Sequence, residues 1–233
     1  MTQHNHLPKT NLDFSDVLAC SFHDVKNSLE LLACTLYRFT YELPDYPGKN
    51  EHLSCLQYEV KCISNTLSYM LTVYNFDHER YQLDIGFHSA LAFIEEALTP
   101  HQAFARARGV QLDMECAPDL FWFFDHHLIA MVFDEALNNA LRYTHDRIKV
   151  TVKTDEQYLY FHIEENGTGY PRQFLDSIAS GENKLSLRGN RTGLGIHFAN
   201  IIAQSHRGKE HGGFVRLSND SQLGGGCFTI ALP

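Results

Sequence analysis

Apolar residues recur at alternating four- and three-residue steps along the first part of the chain: Leu18, Phe22, Val25, Leu29, Leu32, Leu36, Phe39 and Leu43. That rhythm keeps one stripe of a helix apolar, which is the seam of a coiled coil or helix bundle. PDYPGKN at 44–50 interrupts it, because proline removes a backbone donor and clashes with the preceding turn. A second seam follows at Leu53, Leu56, Val60, Ile63, Leu67, Met70 and Tyr74. Residues 13–82 are therefore expected to form an antiparallel helical hairpin. At about 1.5 Å per residue each helix is roughly 40 Å long, more seam than one hairpin can cover. Pairing two copies into a four-helix bundle solves this, so a homodimer is expected. The polar residues 1–12 read as a disordered tail.

From residue 84 to 233 the texture is mixed. A helical pattern covers 89–108, a strand is expected at Val110–Cys116, and PDLFWFF at 118–124 reads as a turn and a short strand. Residues 125–143 read as another helix. RIKVTVKT at 147–154 and YLYFHIEE at 158–165 alternate as antiparallel strands joined by a short turn. A helix from Gly193 to about Ser205 and strands at 214–218 and 227–232 complete the series. The fold class expected is α+β: a helical hairpin, then an α/β sandwich with one mixed sheet covered by helices. The segment 170–190, rich in Gly, Ser, Asn and charge, reads as a mobile loop.

Three segments of this second part carry chemistry when taken together. On the 125–143 helix Glu135 and Asn139 stand four apart on one face, with Arg142 a turn further on. A carboxylate and an amide oxygen so placed suit magnesium or its waters, and Arg142 suits a phosphate. In ENGTG, Gly167 and Gly169 allow a tight turn and close approach to the backbone behind an acid, Glu165. Gly193-Leu194-Gly195 opens an amphipathic helix whose free N–H groups favour phosphate. Each of these also fits a plain alternative, a solvated polar face or an ordinary turn. Upstream, His23 lies one residue past the seam position Phe22, at the flank of the bundle, with Asp24 beside it.

In this order the segments resemble the N, G1 and G2 boxes of the Bergerat-type ATPases, and GGGCFTIALP resembles the closing strand of a histidine-kinase catalytic domain. HDVKNSL at 23–29 is similar to the H box of the histidine-kinase dimerisation domain. The resemblance implies a two-component histidine kinase core using ATP and magnesium. Asn139 would ligate the magnesium, Glu135 would activate the reaction, and Arg142 and Tyr143 would meet the nucleotide. Glu165 would accept from the adenine amino group beside Gly167 and Gly169. Thr192, Gly193, Leu194 and Gly195 would cradle phosphate beneath a lid at about 171–190. His23 would be the phosphoacceptor, Asp24 its activating acid and Asn27 the residue that positions water in dephosphorylation. A receiver domain of a response regulator is the implied partner, and a separate sensor protein would supply the signal.

This chain departs from the family's pattern at several positions. Ser28 stands where a proline is usual, removing the cause of a helix kink. Glu165 replaces an aspartate, and Gly226 or Cys227 replaces a supporting threonine. A misplaced partner in such a pocket costs about 1–3 kcal/mol. The departures keep two other readings open: a phosphorelay histidine phosphotransferase with a degenerate ATPase domain, and a docking module without chemistry. Composition excludes other classes. A net charge of −9 without a basic block argues against nucleic acid. The longest apolar runs are too short for a membrane helix, so no membrane insertion is expected. Six scattered cysteines without a C-x-x-C pair fit reduced thiols and a cytoplasmic location.

Overall fold

The computed structural model describes residues 14–42, 49–77, 81–172, 175–176, 194–208 and 210–233. The expected tail at 1–12, most of the hairpin turn and most of the loop at 170–190 lie outside these residues. The chain divides into two units, Met1–Arg80 and Tyr81–Pro233.

The first unit is a pair of helices, α1 (Phe14–Glu42) and α2 (Lys49–Asp77), packed against each other. The seam of α1 separates into two rows seven residues apart. Phe22, Leu29 and Leu36 are half-buried, whereas Val25, Leu32 and Phe39 are each more than 40% exposed. On α2, Val60 is buried while Leu56 and Ile63 are exposed. Tyr69, which lies off the expected seam, is buried more deeply than any described seam residue. Helix α1 runs through Ser28 without interruption, and the Ser28 hydroxyl donates to the Asp24 carbonyl at 3.0 Å. A proline there would have removed the residue-28 donor from the ladder.

The second unit contains a five-stranded sheet of order β2-β4-β5-β7-β6 and a separate two-stranded sheet, β1-β3. Its elements in chain order are β1 (Ile85–Ser89), α3 (Ala90–Ala107), β2 (Gln111–Glu115), β3 (Phe121–Asp125), α4 (His126–Tyr143), β4 (Arg147–Thr154), β5 (Leu159–Glu165), α5 (Leu194–Ser205), β6 (Phe214–Ser218) and β7 (Cys227–Leu232). Only β2 and β4 pair in parallel; the other neighbours are antiparallel. The mixed sheet expected from sequence is present. The second sheet corrects the expectation of a single one: β3 pairs with β1, a strand the sequence reading did not contain.

An aromatic cluster joins these layers. Phe93 of α3, Phe133 of α4 and Phe161 of β5 meet at centroid distances of 5.0–5.5 Å, mostly edge to face. Phe124 of β3 packs on Phe93 at 5.2 Å. Each buried ring contributes about 2 kcal/mol from area removed from water. Both strands of the small sheet end on a helix cap. Ser89 accepts from the Ala92 N–H, and Asp125 accepts from the Leu128 N–H at 3.0 Å.

The Asp125 cap is tied to the end of α5. The Asp125 N–H donates to His206 Nε2 at 3.0 Å, and the other ring nitrogen, Nδ1, lies 2.8 Å from the Ile202 carbonyl. These partners need the neutral imidazole, donating from Nδ1 and accepting at Nε2. Burial accordingly pushes the His206 pKa below its ordinary value of 6.5, and His162 is lowered in the same direction by burial. The unfolded chain therefore takes up protons before the folded one. Stability from these groups is complete above about pH 6.5 and declines as pH falls through that value. Thermal unfolding should show a lower midpoint at pH 5.5 than at pH 7.5. His206→Gln should flatten that dependence while costing about 1–3 kcal/mol at pH 7.5.

Candidate functional site

Helix α4 presents the first part of the site. Leu128, Ile129, Val132, Phe133, Leu137 and Leu141 are buried, whereas Glu135 and Asn139 are half-buried and Arg142 is exposed. DEALNN places two acid–asparagine pairs side by side, each one turn apart. In the inner pair the Asp134 carboxylate accepts from Asn138 at 3.0 Å and lies 3.0 Å from the buried His101 of α3. In the outer pair Glu135 Oε1 accepts from Asn139 Nδ2 at 2.8 Å. The inner pair fixes α4 against α3 and so sets the direction in which the outer pair points. Sequence reasoning missed the inner pair, although its four-residue spacing is the same signal.

Gly195 in the first turn of α5 lies directly against the Glu135 carboxylate, and a Cβ at 195 would collide with it. The sequence-predicted residues Glu135, Asn139, Leu194 and Gly195 thus meet where α5 begins. Arg142 is exposed and Tyr143 half-buried at the end of the same helix. Thr192 and Gly193 lie outside the described residues, as does the side chain of His23. Asp24 and Asn27 are exposed on α1, in the other unit.

The oxygen donors suit magnesium, which takes carboxylate or amide oxygens and keeps the rest of its shell as water and phosphate. Among the described residues no three His, Cys, Asp or Glu side chains converge as a self-sufficient metal cage. An ion here would be held by Asn139, aided by Glu135, together with a phosphate-bearing ligand.

The second part of the site is the ENGTG turn after β5. Gly167 packs so closely on the Tyr143 carbonyl that a Cβ would collide with it. Gly169 has φ +68°, the left-handed region that favours glycine. Asn166 fastens the turn to the end of α4: its Oδ1 accepts from Thr144 Oγ1 at 2.8 Å and from the Arg147 N–H at 3.0 Å, and its Nδ2 donates to Asp146 at 2.7 Å. Asn219 fixes the next residue, accepting from the Tyr170 N–H at 2.7 Å and donating to the Tyr170 carbonyl at 2.9 Å. Neither asparagine stood out in the sequence. Glu165 is buried, and its carboxylate accepts from the N–H groups of Gly167 and Gly226, the latter at 2.6 Å.

Removing the Asn166 amide would strand several of these donors. Asn166→Ala should cost about 1–3 kcal/mol in urea unfolding, with the far-ultraviolet circular dichroism of the folded protein unchanged.

Residues 124–233 match the family described as histidine kinase-, DNA gyrase B-, and HSP90-like ATPase. The chain is 24% identical over 241 residues to the sensor protein SrrB of Staphylococcus aureus, covering 100% of this chain and 40% of that protein. It is 23% identical over 228 residues to histidine kinase P4 of Formosa agariphila, covering 91% of this chain and 16% of that protein. The chain therefore spans well under half the length of these relatives. Among solved structures, full-length ShkA in complex with AMPPNP aligns with a TM-score of 0.62 at 15% identity, over 94% of this chain and 46% of ShkA. Residues 124–233 thus match the histidine kinase, DNA gyrase B and HSP90-like ATPase family, and the chain as a whole is similar in sequence to the cores of sensor histidine kinases.

Proposed function

We propose that this chain binds magnesium-ATP on the second unit, phosphorylates His23, and passes the phosphoryl group to an aspartate of a response-regulator receiver domain. The observation that carries this reading is the meeting of Glu135 and Asn139 with Gly195 at the start of α5. An oxygen pair for the metal thereby faces a helix N-terminus suited to phosphate. That ShkA is solved with AMPPNP supports a nucleotide in the same fold. In the transfer, a His23 ring nitrogen forms a bond to the γ-phosphorus as the bond to the ADP oxygen breaks. Asp24, next in sequence, takes the other ring proton. Asn27, on the same helix face, positions a water that attacks the phosphorus of the partner's aspartyl phosphate, releasing the aspartate and inorganic phosphate. Thr192, Gly193 and Leu194 would complete the phosphate cradle, with Arg142 and Tyr143 at its edge.

The exposed row Val25, Leu32 and Phe39, continued by Leu56 and Ile63 on α2, supports a homodimer in which a second hairpin covers it. Sedimentation equilibrium should give a dimer, and Leu32→Glu combined with Phe39→Glu should shift it toward monomer. A cytoplasmic setting completes the proposal. Among the described residues no helix is long and apolar enough to cross a membrane.

One observation favours a second reading, a phosphorelay phosphotransferase that does not use ATP: the Glu165 carboxylate is engaged by its own backbone rather than left open for a base. Incubation with γ-labelled ATP separates the two. The kinase reading predicts an acid-labile, alkali-stable phosphoryl label that His23→Ala abolishes. Asn139→Ala should lower the rate about a hundredfold or more, the scale set by losing a pre-organised transition-state contact. A wild-type chain that stays unlabelled by ATP, yet accepts phosphate from a phosphorylated receiver domain, would favour the second reading.

A further inference from the structure

Glu165 and Gly226 are matched to each other. Glu165 ends β5 and is 6% exposed. Its N–H donates to the Gly226 carbonyl at 3.0 Å, and the Gly226 N–H returns to Glu165 Oε1 at 2.6 Å. The second carboxylate oxygen, Oε2, accepts from the Gly167 N–H. One side chain thus bridges the ENGTG turn and the GGGC segment before β7. The carboxylate fits there only because residue 226 has no side chain. A Cβ at 226 would stand 2.8 Å from Glu165 Oε1 and 2.9 Å from the Tyr170 ring. Gly225 is equally confined, since a Cβ there would collide with the Glu165 carbonyl oxygen. An aspartate, one methylene shorter, would fall short of the Gly226 amide, and any larger residue at 226 would fill the space the longer acid uses.

We propose that Glu165 is a positioning residue, a latch between two loops, and that base selection at this site is correspondingly weak: the pocket takes magnesium nucleoside triphosphates by their phosphates, with little preference for adenine over guanine. This rests on the nucleotide reading of the site given above. Strong discrimination needs a polar group aimed at the base and left unpaired by the wrong one. Here each carboxylate oxygen is already held by one main-chain amide in a buried group, which fixes the carboxylate between the two loops and leaves a base only the second lone pair of each oxygen.

The experiment uses the full chain and two readouts. Magnesium-ATP and magnesium-GTP compete separately for a bound trinitrophenyl-ATP probe, and amide hydrogen exchange is followed at Gly167 and Gly226 without nucleotide. The expected result is that wild type binds both nucleotides with affinities within about tenfold, while both amides are protected and lose protection in Glu165→Ala. The double variant Glu165→Asp, Gly226→Thr, checked for folding by circular dichroism, should gain a preference for ATP of about tenfold or more. A wild-type preference for ATP above about tenfold that Glu165→Gln erases would overturn the proposal, as would freely exchanging amides at Gly167 and Gly226. If neither nucleotide displaces or binds alongside the probe and the probe itself does not bind, the nucleotide reading of the site falls and the base-selection proposal falls with it. Binding with a strong ATP preference would overturn the base-selection proposal alone.

Discussion

The Asp125 carboxylate is the point from which the second unit is organised. One oxygen caps α4 at the Leu128 N–H, the other accepts from the Asp84 N–H at 2.9 Å, and the residue's own N–H is held by His206. A cap fixes where a helix begins, and on an amphipathic helix this decides which residues face which neighbour. Were α4 to begin one residue later, each side chain would turn by about 100° relative to its neighbours. Phe133 would leave Phe161, and Glu135 would leave Gly195. The phenylalanine cluster then holds the orientation that the cap selects, and the Asp134–His101 contact holds it a second time.

Much of this was legible before any coordinates. The helices and most strands show in periodicity because each has one wet and one dry face. Glu135 and Asn139 are four apart in sequence, so helix geometry alone puts them together. β1 escaped because it is five residues long, is interrupted by Gly86, and turns His88 rather than an aliphatic residue inward against Phe124. A strand of that kind is defined by its partner, β3. The latch at Glu165 escaped for a different reason. Its acceptor and donor lie 61 residues apart, and Asn219 and Tyr170 lie 49 apart, so no local pattern links them. Local spacing reveals sites carried by one helix; sites assembled between loops require the fold.

The departures at 165 and at 226 or 227, which read in sequence as two separate losses, meet in space where Glu165 packs against Gly226. A longer acid occupies the room left by a missing side chain, and the loops remain joined. Buried polar groups tolerate such exchanges when volume and hydrogen bonds are conserved together, and either change alone would leave a gap or a collision. Two other glycines obey the same rule. Gly167 and Gly195 are set by the Tyr143 carbonyl and the Glu135 carboxylate pressed against them rather than by backbone torsion.

The unbroken course of α1 through Ser28 has a mechanical consequence. A helix interrupted by proline can flex at that point, so that a displacement at one end is lost there. α1 spans 29 residues with no such joint, and Ser28 adds a side-chain bond to Asp24 across the segment that follows His23. It behaves as a rod. A push or twist delivered near Phe14 travels to Glu42 instead of being absorbed at His23. Rotation or sliding of α1 against α2 is then a movement of the whole helix, with the half-buried row of Phe22, Leu29 and Leu36 as its track.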